Sequence, residues 1–176
     1  MEWDTQALLW INSHRHLVLD VILGTVAYAG ELAWVWIVVC LGLVIGGNRD
    51  QKKLGLLVII AMVLIDRCIA KQLGYLFFRE RPYLALEGIQ QAGITWETSS
   101  FPSGHAHSVW LATILLGKQW RNLLFPMILF ALFTCYSRPY WGMHYPLDVI
   151  AGSILGITAG LTILGMQKLR TRPRQT

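Results

Sequence analysis

Residues 147–166 read LDVIAGSILGITAGLTILGM, twenty positions that hold a single charge, Asp148. About 20 apolar residues in a helix cross the hydrocarbon core of a bilayer, so this run reads as a membrane span. Apolar runs recur at 17–29, 32–46, 54–78, 105–117 and 123–136. The whole chain agrees with that pattern: its 176 residues are 55% hydrophobic and 14% charged, with a mean hydropathy of +0.48. Soluble domains carry roughly 25% charged residues, so too little charge is present to clothe a water-facing surface. The composition also excludes a disordered chain, a collagen, a coiled coil and a disulfide scaffold. The expectation is one all-α domain over 1–176, a polytopic membrane helix bundle of about six transmembrane helices. The run at 17–29, interrupted by Asp20, is either the sixth span or a re-entrant helix, and six is the reading adopted.

Loop charges orient the bundle. Arg49, Lys52 and Lys53 lie in one connection, Lys118 and Arg121 in another, and Lys168, Arg170, Arg172 and Arg174 in the tail over 167–176. Positive residues favour the cytoplasmic side, so these three regions are read as inside. The loops at 79–104 and 138–146 then face outward. The net charge of +5 follows from the inner loops and tail, as topology signals and contacts to anionic lipid. The basic residues are scattered, which gives no nucleic-acid surface.

Residues 1–16 carry Glu2, Asp4 and Arg15 and lack a basic segment followed by a cleavage site, so no signal peptide is expected. Trp3, Ala7, Trp10 and Ile11 recur at helical spacing, which predicts a short amphipathic helix at the interface. Cys40, Cys68 and Cys135 each lie inside an apolar run. Their odd number and wide spacing support neither a zinc site nor a disulfide frame.

The two outward loops carry related chemistry. The first holds Arg79, Arg81 and Pro82, then Pro102-Ser103-Gly104-His105. The second holds Ser137-Arg138, then His144 and, four residues on, Asp148. Arginine presents a planar fork matched to phosphate oxygens. Histidine titrates near neutrality and serves as nucleophile or acid. Pro146 suits the first turn of a helix, from which Asp148 can reach back to one ring nitrogen of His144 and leave the other to attack. Ser103 suits a helix N-cap. The amides that follow it suit an anion, and Gly104 permits a close approach to an oxyanion.

Arg81-Pro82, Pro102-Ser103-Gly104-His105 and Ser137-Arg138-x5-His144-x3-Asp148 together resemble the three-part signature of the type 2 phosphatidic acid phosphatase superfamily. The second and third motifs match fully. The first departs, because the lysine the family commonly places before Arg-Pro is Gly74 here, and the nearest lysine is Lys71, one helical turn earlier. The resemblance implies a metal-independent, cofactor-free lipid phosphatase or diphosphatase working through a phosphohistidine. It assigns His144 as nucleophile, Asp148 as its partner and His105 as the acid for the leaving group. Arg81, Arg138, Ser103, Gly104 and Lys71 are then expected to hold phosphate, with no metal ligand. The Phe78–Tyr83 stretch resembles the bacterial undecaprenyl-diphosphate phosphatases of this superfamily. Phosphatidylglycerophosphate, phosphatidate and lipid A are the alternative substrates, and the loop between Tyr83 and Ser100 is expected to select the headgroup. The resemblance also implies a bacterial cytoplasmic-membrane protein with its site facing outward and a bilayer lipid as substrate. Oligomeric state is not encoded in any of these features.

Several residues have two readings. Arg79 either touches phosphate or lies on the loop surface. His107 stands two positions from His105 and on a helix points away from it. Asp66 and Arg67, inside a span, are either functional or a structural ion pair. Asp20 and Glu31 read as helix caps. Tyr140 and Trp141 either anchor the loop at the headgroup level or touch substrate, and the first is the reading adopted. A transporter is the rival of a different class, with Glu31, Asp66 and Arg67 lining a path. A vanadate-holding haloperoxidase site is a second rival.

Overall fold

The computed structural model describes residues 2–31, 34–92, 95 and 97–170, except for the side chains of 26–31, 34 and 170. Glu31's side chain and the tail beyond 170 therefore lie outside the described residues. Every regular element among them is helical. The helices are α1 (Glu2–Ser13), α2 (Leu17–Glu31), α3 (Trp34–Gly46), α4 (Arg49–Ile65), α5 (Lys71–Leu76), α6 (Pro82–Ala85), α7 (Gly104–Gln119), α8 (Leu124–Tyr140) and α9 (Pro146–Arg170). A π-helical turn, Asp66–Ala70, joins α4 to α5.

Two helical stretches among the described residues, Arg121–Tyr140 and Pro146–Leu169, are each long and apolar enough to cross a bilayer. Val35–Gly46 is apolar but shorter. Large apolar side chains face outward around the bundle, among them Leu17, Ile45, Phe78 and Phe125. That surface suits hydrocarbon rather than water.

The pairing of α7 with α9 positions the site, and glycines set its distance. Gly152, Gly156 and Gly160 recur every fourth residue of α9, on the face turned to α7. A Cβ on Gly152 would stand 2.4 Å from the Ser103 carbonyl oxygen, and one on Gly156 2.3 Å from that of His107. Small residues at this spacing let helix backbones approach where lipid supplies no hydrophobic drive to associate. Above this contact, the Ser103 N–H donates to the Asp148 carbonyl at 2.9 Å. A main-chain bond therefore ties the start of α7 to the first turn of α9.

The apolar core lies among α3, α4 and α7, around Cys40, Val58, Met62, Leu111 and Leu115. A second cluster packs Leu23 of α2 against Tyr140, Trp141 and Met143. Tyr140 is fully buried and its hydroxyl donates to Asp20 Oδ1 at 2.6 Å, while Arg15 lies over the Trp141 ring at 3.9 Å. Tyr140 and Trp141 are thus internal packing residues and not the headgroup-level anchors expected of them. Asp20 pairs with Arg15 and Tyr140 instead of serving as a simple cap.

The N-terminal helix docks through its polar stripe. Asp4, Leu8 and Asn12, four residues apart, are buried, whereas Trp3 and Trp10 face outward. Asn12 donates to the carbonyls of Gln90 and Tyr140 and accepts the Gln90 N–H at 2.9 Å. Of the apolar face expected for the interface, Trp3 and Trp10 are open to lipid, whereas Ile11 packs against the Tyr140 cluster.

Candidate active site

The turn between α8 and α9 delivers His144. Gly142 has φ +62°, and a Cβ there would meet Ile89, so glycine is required on both counts. Pro146 occupies the first turn of α9, as its fixed φ favours. Asp148, two residues on, accepts the Tyr145 N–H at 2.9 Å and so satisfies one amide ahead of the helix.

His144 is buried, and two contacts fix its ring. Nδ1 lies 2.7 Å from the Ser100 carbonyl oxygen, which can only accept, so Nδ1 carries the proton. Nε2 lies 3.3 Å from Arg81 Nη1, which can only donate, so Nε2 carries the lone pair. Both contacts select one neutral tautomer. Burial, and then the charges of Arg81 and Arg138, hold the His144 pKa well below the usual histidine value, against the opposing pull of the Ser100 carbonyl.

The Asp148 carboxylate stands 3.9 Å from His144 Nδ1, beyond hydrogen-bond reach. The i,i+4 spacing predicts that this carboxylate fixes the tautomer directly. The Ser100 carbonyl does so instead, and Asp148 contributes charge from behind the ring. Its Oδ1 is taken by Arg79 Nη1 at 2.9 Å. Arg79 thus neither lies free on the loop surface nor points to an open phosphate position. Its guanidinium stacks over the Tyr145 ring at 3.5 Å and pairs on its other side with Asp4.

Arg81 is buried and held by the loop ahead of α7, with Nε donating to the Thr98 carbonyl at 3.1 Å and Nη1 to the Met143 carbonyl at 3.2 Å. Arg138 is buried in the last turn of α8, its Nε donating to Ser137 Oγ at 3.0 Å. His105 sets its ring edge-on to His144, with centroids 6.4 Å apart. Ser103 is fully buried and precedes α7 with extended backbone, yet its hydroxyl does not cap the helix. The Ser103 Oγ has no hydrogen-bond partner among the described residues. A buried hydroxyl without a partner is costly, so this oxygen can accept or donate a bond within the site. Gly104 has no positive φ, and an added Cβ would find only an ordinary contact with His107. Neither backbone nor packing requires glycine there, which leaves open space beside the amides that begin α7.

The structure brings His144, His105, Asp148, Arg81, Arg138, Ser103 and Gly104 together. It does not bring Lys71. That side chain is exposed on α5, and no hydrogen bond or ion pair among the described residues joins it to the cluster. Gly74, at the position of the expected lysine, lies against the loop ahead of α7, with a Cβ there 3.0 Å from the Phe101 carbonyl oxygen. His107 diverges from His105, as its spacing predicts. It is buried, with Nε2 3.7 Å from Asp66 Oδ1, and Asp66 also faces Arg67 at 3.8 Å. These charges form a polar support behind α7.

The family model of the PAP2 superfamily matches residues 54–172, which include every residue of the cluster. The chain belongs to the PAP2 superfamily. Among its PAP2 relatives, the Bacillus subtilis protein named undecaprenyl-diphosphatase BcrC is 29% identical over 157 residues, covering 84% of this chain and 75% of that one. A Sulfolobus acidocaldarius undecaprenyl-diphosphatase is 33% identical over 143 residues, covering 80% and 66% respectively. The crystal structure of Aquifex aeolicus LpxE superposes with a TM-score of 0.75 at 26% identity, over 91% of this chain and 93% of that one. The all-α architecture of this chain is therefore one already seen in a solved structure.

Proposed function

We propose that this chain is an integral membrane diphosphatase that releases phosphate from an isoprenoid diphosphate, undecaprenyl diphosphate in the first place. The observation that carries the reading is the doubly fixed neutral tautomer of His144, whose lone pair faces an arginine. The names of the two relatives above support the choice of substrate. In this reading the domain spans 1–176 with six transmembrane helices. The 79–104 loop selects the headgroup on the outer face of a bacterial cytoplasmic membrane, and the 167–176 tail lies inside.

The chemistry follows from the geometry. The terminal phosphate sits against Ser103, Gly104, Arg81 and Arg138. His144 Nε2 forms a bond to phosphorus while the bond to the bridging oxygen breaks, and His105 delivers a proton to that oxygen. The imidazole then bears positive charge, which Asp148 offsets. Water attacks the phosphohistidine and gives its proton to His105, which is thereby restored as the acid; the P–N bond breaks, inorganic phosphate leaves and His144 returns to its neutral form. Phosphoryl transfer depends mainly on positioning and charge neutralisation, which the two arginines supply. Lys71 is expected to act only if α5 moves toward the site.

The test is phosphate release by the purified protein in detergent, with undecaprenyl diphosphate, phosphatidylglycerophosphate, phosphatidate and lipid A as substrates. Undecaprenyl diphosphate is expected to turn over fastest, undiminished by EDTA, with a radiolabelled phosphohistidine that is lost in His144→Ala. No release from any of the four sinks the reading, and strict dependence on magnesium sinks its metal-free mechanism.

A further inference from the structure

Asp4 lies far from the motifs in sequence and at their centre in space. It is fully buried, and its Oδ1 accepts the Leu147 N–H at 2.9 Å. Its Oδ2 stands 2.6 Å from Arg79 Nη2. The other end of that guanidinium holds Asp148 Oδ1 at 2.9 Å. One arginine is thus shared by two buried carboxylates, one from the N-terminal helix and one from α9.

We infer that Asp4 is a positioning residue for the reaction, acting through Arg79 on Asp148. This inference rests on the proposed role of His144. A carboxylate paired with an arginine of its own is largely neutralised and offers little to a neighbouring imidazole. Sharing the arginine leaves the trio Asp4–Arg79–Asp148 with a net charge of −1. Asp148 then retains negative potential toward His144 as the ring acquires positive charge. The Arg79 bond to Oδ1 and the Tyr145 N–H bond to Oδ2 also fix the carboxylate plane. The remaining charged or titratable groups around the ring are Arg81, Arg138 and His105, and Glu80 lies on the Tyr145 side of the trio.

Asp4 also serves α9 directly, because Leu147 N–H is one of the amides a helix start leaves without an intrahelical partner. A purely structural role for Asp4 must therefore be separated from the electrostatic one. Asp4→Asn does this, since the amide keeps an oxygen for Leu147 while the charge and the acceptor facing Arg79 are both lost. The readout is the acid limb of the kcat/KM profile, where His144 must lose its proton.

With less negative charge behind the ring, Asp4→Asn lowers kcat and moves that limb to lower pH, by roughly half a unit or more. Arg79→Gln removes positive charge and moves it to higher pH. The double variant returns toward the wild-type limb, and KM stays within about threefold throughout, because neither side chain is assigned to phosphate. The substrate is a short-chain isoprenoid diphosphate soluble in detergent, and thermal melts report folding. Limbs that stay in place, or move the same way in both single variants, overturn the inference. Should Arg79→Gln fail to fold, the direction of the Asp4→Asn shift decides alone. A wild-type protein that releases no phosphate refutes the proposed function instead, so the two failures are distinct.

Discussion

Gly152→Ala places one methyl group where α9 meets the start of α7. Its Cβ would stand 2.4 Å from the Ser103 carbonyl oxygen and 3.1 Å from the Ala106 Cβ. Ordinary non-bonded contact needs about 3.5 Å, so the shortfall against the carbonyl is about 1 Å. That neighbour is main chain and cannot swing aside as a long side chain would. The helices must separate or slide by a comparable amount. The bond from Ser103 N–H to the Asp148 carbonyl, now 2.9 Å, is the first to lengthen. Overpacking of this kind destabilises by about 1–3 kcal/mol. The effect on activity is expected to be larger in proportion, since a 1 Å misplacement of reacting groups lowers rates by about 10²-fold. The assay is kcat/KM for phosphate release in detergent, beside a thermal melt. Gly165→Ala is the control, because a Cβ there meets nothing within 4 Å and alanine favours a helix interior. A Gly152→Ala protein with wild-type turnover would refute the claim that the α7–α9 distance sets the site.

Four further outcomes rest on the same geometry. Ser103→Ala removes a buried hydroxyl without a described partner, so the melt should be unchanged or slightly raised while kcat/KM drops about ten- to a hundredfold, the worth of one bond to a charged group. The acid limb of the wild-type kcat/KM profile should lie below the ordinary histidine value of about 6.5, because His144 is held neutral to lower pH; a limb at or above that value would contradict the buried, arginine-facing ring. By the same linkage, its contribution leaves stability unaffected above about pH 6.5 and reduces it as pH falls below that, where the unfolded chain takes up the proton first; this is readable in melts across pH. Gly74→Lys, which restores the common family residue, should lower activity instead of raising it, since a side chain at that position meets the Phe101 carbonyl at 3.0 Å.

The site was legible wherever a side chain and its spacing carry the chemistry. Arg81, Ser103, His105, Arg138, His144 and Asp148 announce phosphate chemistry by type and interval, and the structure gathers them. Lys71 was drawn in by analogy with a position that in this chain is packed shut by Gly74. Tyr140 and Trp141 were placed at the headgroups from their interfacial preference, but a buried bond to Asp20 and an arginine over the indole outweigh it. Asp4 could not be found from spacing, because its partners Arg79 and Leu147 lie far along the chain. The buried Asp4, Leu8 and Asn12 of α1 lie away from Trp3 and Trp10, the residues that mark an interfacial helix.

The Ser100 carbonyl that holds His144 Nδ1 has no letter in the sequence. Exchanging the residue at position 100 alters its side chain and leaves this oxygen in place, so a mutational scan through the loop can pass over the contact that sets the tautomer of His144. The loop is therefore free to change its side chains, provided the path of the chain is kept. What descent must preserve here is a curve of backbone, and comparison of residues alone does not detect it.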